Sequence, residues 1–352
     1  MLFTPIAFRG LKLKNRIVVS PMCQYSSEDG FASEWHLVHL GSRAVGGASL
    51  VFTEAAAVTP EGRISPQDLG IWKEEHVRTL GQIAAFVRAQ GAEVGIQLAH
   101  AGRKGSTARP WEGGGPVPPA QGGFLIVAPS PVPFREKDQT PQALDEAGIA
   151  RIVRAFADAA ERAQRAGFTA IELHAAHGYL LHEFLSPLSN QRTDRYGGPI
   201  ENRARMLLDT VRAIRSKWPE RLPLFVRLSA TDWVAGGWTA DDTVWLARRL
   251  KDEAVDLVDC SSGGAVPGGQ IPVGPGYQVP FSERVRRETG MPTGAVGVIR
   301  SSYQADQILR SGQADLVMIA RQLLRDPYWP LHAARELGVD LAWPVQYQRA
   351  KD

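Results

Sequence analysis

The stretch Ile171–Gly198 reads IELHAAHGYLLHEFLSPLSNQRTDRYGG and gathers more reactive side chains than any other segment of similar length. An apolar run follows a helix that ends at Gly167, so Ala170–Leu173 reads as a strand, with His174, His177 and Tyr179 set where it stops. Two imidazoles and a phenol at a strand end fit a parallel α/β protein, whose loops at the carboxyl ends of the strands converge on one face and carry the chemistry. The same residues also fit a capped strand with hydrogen-bonded histidines. The flanking elements decide between the two.

Working outward, strands are expected at Arg16–Ser20, Ser49–Thr53, Glu93–Leu98, Ala170–Leu173, Leu224–Leu228, Asp256–Asp259, Pro292–Val296 and Asp315–Ile319. Helices are expected between them: Glu34–Val45, Glu74–Gln90, a segment capped by Asp145 and closed by Gly167, Ile200–Trp218, Asp241–Glu253, Phe281–Thr289, Ser301–Ser311 and Gln322–Leu337. The periodicity is clear in the second of these, where Val77, Leu80, Ile83, Ala84 and Val87 share one face. Eight strand–helix units close a barrel, whereas a doubly wound sheet would carry a glycine-rich fingerprint after its first strand; here that position holds Ser20-Pro21-Met22-Cys23. We therefore expect one α/β domain over residues 1–352, a (β/α)8 TIM barrel. An N-terminal β-hairpin at about residues 3–14, turning at Arg9-Gly10, could plug one end. A long insert, residues 99–144, glycine- and proline-rich at Glu112–Gly123, follows the third strand, its part Ala108–Phe124 could cover the active-site mouth, and a tail spans about 340–352.

Composition narrows the partners. With 40 basic against 37 acidic residues, a formal charge of +3 and no long basic run, nothing tracks a phosphate backbone, and nucleic acid is not expected. No run approaches the roughly 18 apolar residues of a membrane span, and the N-terminus lacks the apolar core of a signal peptide, so a cytoplasmic protein is expected. Cys23 and Cys260, the two cysteines, lie too far apart for a CxxC metal site and are too few for an iron–sulfur cluster.

In such a barrel the informative residues end the strands. They are Cys23 and Tyr25; Glu54 and Ala55; Gln97 and His100; His174 and His177; Arg227; Cys260 to Gly263; Gly294 to Gly297; and Ala320 with Arg321. Barrels of this type often hold phosphate in the loops after strands seven and eight, and Gly297 with Arg321 suits a phosphorylated ligand. Arg227 lies inside the apolar strand Leu224–Leu228, where a guanidinium needs an anionic or acceptor partner.

These residues carry a resemblance. SPMCQYSS at 20–27, QDLGIW at 67–72, IQLAHAGRK at 96–104, HAAHGYLLHEFLSPLSNQRTDRYGG at 174–198, ENR at 201–203, FVRLSA at 225–230, DCSSG at 259–263, TGAVG at 293–297 and LLRDP at 323–327 resemble the old yellow enzymes, within them the thermophilic-like ene-reductases (NADPH dehydrogenases). The resemblance runs nearly the whole chain. It implies a noncovalent FMN, NADPH or NADH as hydride donor, and reduction of activated C=C bonds in small molecules. It further implies that Ser20, Pro21, Met22, Cys23, Ala55, Gln97, Arg227, Gly297, Ala320 and Arg321 hold FMN, the last two at its phosphate, although many relatives have glycine where Ala320 stands. Tyr25, His174 and His177 would face the substrate, the two histidines holding its oxygen, while Tyr179 supplies a proton. Arg349 resembles an arginine that enters a neighbouring subunit's site, which implies a homo-oligomer, dimer or tetramer. Two other readings stay open from the residues alone: a metal-dependent barrel hydrolase using His174 and His177, with no metal ligand set to complete it, and a non-catalytic flavin-binding protein.

Overall fold

The computed structural model describes residues 1–351, and its centre is a closed barrel of eight parallel strands. These are Ile17–Val19, Leu50–Ala57, Glu93–Ala99, Ala170–Ala175, Leu224–Ser229, Leu257–Ser261, Thr293–Ala295 and Leu316–Ile319, paired in chain order with the last closing onto the first. Each expected strand is present, and helices alternate with them on the outside. Glu34–Val45 forms over the expected residues, and Asp145 caps Glu146–Arg165 by accepting the Gly148 amide at 2.7 Å.

Two expected helices are broken. The long helix expected over 322–337 is two, Arg321–Arg325 and Trp329–Glu336, because Pro327 has no N–H to donate and disfavours helical backbone before it. A single residue, Ala204, separates Ile200–Arg203 from Arg205–Arg215. The barrel also holds a register shift between Phe52 and Ala55 on the second strand, a bulge that lets Glu54 face His36 while Ala55 pairs with Gln97.

Two apolar cores result. The larger lies between strands and helices. The smaller fills the barrel at the amino ends of the strands, where the hairpin Ile6–Phe8 and Leu11–Leu13 seals it. Phe8 meets Phe225 edge-on at 5.2 Å, and the turn is pinned by Arg9 Nε on Asp256 at 2.6 Å. The opposite end is open and polar. Among the described residues no helix is long and apolar enough to cross a membrane.

Candidate active site

A cleft with a cavity volume of about 240 Å³ opens over the carboxyl ends of the strands. Ser20, Pro21, His177, Arg227, Gly297, Ala320 and Arg321 line it, so seven of the expected site residues meet there. One end is cationic. Gly297 (φ 125°) and Val298 (φ 52°) bend the loop after the seventh strand through left-handed backbone, and a Cβ at Gly297 would meet the Gln278 amide at 3.1 Å and the Tyr277 ring at 3.2 Å. Arg321 opens the short helix after the eighth strand, next to Ala320, and Arg300 and Arg325 line the same end. Their guanidiniums give this end the fixed positive charge and forked donors that suit an anion.

At the barrel axis the buried Arg227 finds the partners its burial requires. Its Nη2 donates to Ser20 Oγ at 2.9 Å, and its Nε lies 2.9 Å from Asp259 Oδ2 as an ion pair, though off the line of a hydrogen bond. Gln97 donates from Nε2 to Glu172 Oε1 at 2.7 Å. The amide and the guanidinium thus stand side by side, each held from below by a carboxyl group.

The opening stretch of sequence supplies the opposite wall. His177 (φ 60°) and Gly178 (φ 74°) turn the chain sharply after the fourth strand, and any Cβ at Gly178 would sit 2.0 Å from the Gly264 carbonyl oxygen. The His177 amide donates to Ser229 Oγ at 2.9 Å, and Lys104 Nζ donates to the His177 carbonyl at 2.8 Å. This strained turn sets three rings together: His174 meets His177 edge-on at 5.2 Å and Tyr179 at 5.0 Å. His174 Nδ1 accepts the Ala176 amide at 3.2 Å, which assigns its proton to Nε2, the nitrogen left to bind a ligand. His177 Nε2 contacts Ser261 Oγ at 2.6 Å.

Protonation states follow from burial. Burial, then Arg227, Lys104 and His182, push His174 well below the ordinary imidazole value, and burial followed by His174, Arg227, Lys104 and His182 does the same to His177. Both are neutral donors at pH 7. Burial, with Cys23, Tyr25 and Asp68 adding to it, pushes the Tyr179 phenol well above its usual range, so it keeps its proton. Cys23 is likewise driven up by burial, Asp68 and Glu54, and is a thiol. The ring of the neighbouring Tyr25 meets Trp111 of the insert edge-on at 5.8 Å.

Ala55 and Tyr179 line a small adjoining cavity, and Met22 packs its side chain toward the outer core. Arg349 is exposed in the C-terminal turn Val345–Ala350 and does not line the cleft of its own chain. Arg300, Arg325, Tyr277, Gln278 and Lys104 were missed as site residues, because only barrel closure brings them to the rim. Arg192 and Arg203 donate to the Pro129 and Leu185 carbonyls, and His182 pairs with Asp232 at 3.0 Å, a frame behind the rings. The charged neighbours of His174 and His177 are cations, Arg227 and Lys104, an environment hostile to a metal ion.

Residues 1–339 match the model of the NADH:flavin oxidoreductase / NADH oxidase family. The chain is 52% identical over 351 residues to an NADPH dehydrogenase of Geobacillus thermodenitrificans, covering 99% of this chain and 98% of the relative. It is 47% identical over 350 residues to an NADPH dehydrogenase of Bacillus subtilis, with the same coverage. Its fold superposes on morphinone reductase in complex with tetrahydroNAD with a TM-score of 0.79 at 28% identity, over 97% of this chain and 92% of that one. The barrel and cleft are those of an FMN-dependent oxidoreductase with NAD(P)H as hydride donor. This chain belongs to the NADH:flavin oxidoreductase / NADH oxidase family, that of the old yellow enzymes. The residues present fit FMN: a cationic end for a phosphate, and a buried amide and guanidinium at the axis for the polar edge of a flavin ring.

Proposed function

We propose that the chain is an ene-reductase acting on α,β-unsaturated carbonyls, maleimides and nitroalkenes. FMN, when bound, supplies the hydride chemistry, taking hydride from NAD(P)H and passing it to the β-carbon of the alkene. The protein's residues do the rest. Ser20 to Cys23, Ala55, Gln97 and Arg227 hold and orient the ring, and Gly297, Ala320 and Arg321 hold the phosphate end. The fixed charge of Arg227 favours the electron-rich form of what it binds.

His174, with His177, holds the activating oxygen of the substrate. The observation that carries the reading is the pairing of a neutral imidazole whose Nε2–H is free with a phenol 5.0 Å away, ring to ring, both at one strand end. Negative charge that develops on the substrate oxygen meets a placed donor, and Tyr179 stands ready to protonate the α-carbon. Tyr25 lines the substrate side with the insert beyond it. A hydrolase reading explains neither the buried Arg227 nor the phenol, and a purely flavin-binding protein leaves the phenol without a task.

The test is His174→Ala. Losing one oxygen-holding donor is expected to lower turnover of an enone by about 10²–10³-fold, with FMN still bound and still bleached by NADPH. Unchanged enone turnover would overturn the assignment.

A further inference from the structure

Directly beneath Gln97 and Arg227, the fourth and sixth strands contribute Glu172 and Asp259 to one layer of the barrel interior. Both are fully buried, and they touch. Glu172 Oε1 accepts from Gln97 at 2.7 Å, and Asp259 Oδ2 lies 2.9 Å from Arg227 Nε. Yet Glu172 Oε2 and both Asp259 oxygens have no hydrogen-bond donor. Two carboxylates in contact can only accept, so their facing oxygens stay unsatisfied unless a proton sits between them. Charge counting agrees: one guanidinium faces two acids, and a second buried negative charge would have no partner.

We propose that Glu172 and Asp259 share a single proton, held chiefly by Glu172, and that this floor positions Gln97 and Arg227 and sets the reduction potential of the bound flavin. Asp259 is the charged member that pairs with Arg227. Glu172 is the neutral member that fixes the Gln97 amide. Burial and the Asp259 charge push the Glu172 carboxyl up to about 8 against the pull of Arg227, and burial raises Asp259 as well. The titratable groups around the pair are Arg227 on the fifth strand and, toward the cleft, His174 and His177, both neutral. Lys104, over the Tyr179 ring, and Glu183, which accepts the Arg103 amide at 2.8 Å, are each also shifted to about 8 by burial, and neither is among the charges that act on the pair.

The inference rests on FMN occupying the cleft, and its consequence is electrical. While the floor holds its proton, two electrons enter the flavin with one proton. Once the floor has lost it, a bare negative charge lies beneath Gln97 and Arg227, and an electron pair arriving in a flavin held by them would draw a second proton from solvent back onto the pair. Each pH unit is tenfold in proton activity, which for a two-electron couple is about 30 mV per proton taken up.

The test is potentiometry of the FMN-loaded protein between pH 6 and about 10, with dithionite as reductant and reference dyes. Wild type is expected to fall by about 30 mV per pH unit below the floor's titration and by about 60 mV above it. Glu172→Gln mimics the protonated acid and leaves Lys104 and Glu183 in place. It is expected to hold FMN with wild-type affinity and keep the shallow slope throughout. Glu172→Ala removes the Gln97 acceptor and is expected to weaken FMN binding by about tenfold or more. FMN retained with one slope in wild type, or a break that persists in Glu172→Gln, overturns this inference alone. A wild type that binds no FMN overturns the cofactor assignment together with it.

Discussion

Tyr179→Phe isolates the proton from everything else the residue does. The ring keeps its edge-on contact with His174 at 5.0 Å and its place under Lys104 Nζ, also at 5.0 Å. The backbone bonds that start the following helix, such as the Glu183 amide to the Tyr179 carbonyl at 2.8 Å, are untouched. Only the hydroxyl is lost. General acid catalysis by a placed group contributes about 10²–10⁴-fold, so the barrier to alkene reduction should rise by about 3–5 kcal/mol. Anaerobic stopped-flow separates the steps: bleaching of the flavin by NADPH should stay within about threefold of wild type, while reoxidation by an enone slows by that factor. In wild type the reoxidation rate should not fall through the ordinary phenol range near 10, because burial holds the proton on. Reoxidation of the variant within about threefold of wild type would refute the assignment of Tyr179 as the acid.

Three further outcomes follow from other parts of the molecule. Phe8→Ala empties the hairpin plug over Phe225 and should cost about 3–5 kcal/mol in urea unfolding; a loss under about 1 kcal/mol would show that the hairpin does not seal the barrel. At Asp306 burial opposes ionisation, but the Met1 ammonium at 2.7 Å, the Leu2 amide at 2.8 Å and Arg310 hold the carboxyl down to about 2. The folded value lies below the unfolded one of 3.8, so the stabilisation is full above it and is lost as pH falls through about 2. Asp306→Asn should therefore cost about 2 kcal/mol at pH 7 and only about 0.4 kcal/mol by pH 2, and equal stability at pH 7 would contradict the pairing. Arg349→Ala should raise KM for activated alkenes with the flavin spectrum unchanged in a wild type that sizes as a dimer or tetramer; a fully active monomer would count against a shared site.

The fold was legible because each strand–helix unit repeats the same pattern, and the closed order of eight follows from counting them. What escaped was set by single residues. Pro327 breaks a helix that apolar spacing alone carries through, and the bulge after Phe52 lies in a strand buried on both faces, where no alternation marks the shift. The strand-end residues were readable as a group, since position in the barrel and chemistry coincide in His174, Gln97 and Arg227. Arg300, Arg325 and Gln278 were not, because they sit on a loop, at the end of a short helix and at a helix cap whose approach depends on how the barrel closes. The floor had left a signal: an acid inside Ala170–Ala175 and another inside Leu257–Ser261, each in an otherwise apolar run, beside an arginine that needed a partner.

The most direct measurement is anaerobic titration of the purified protein, followed at the flavin absorbance, first with NADPH and NADH and then with cyclohexenone, a maleimide and a nitroalkene. The account predicts a yellow protein that bleaches with nicotinamide and regains its colour stoichiometrically with the activated alkenes. A protein that bleaches but is reoxidised by none of them would contradict the ene-reductase assignment.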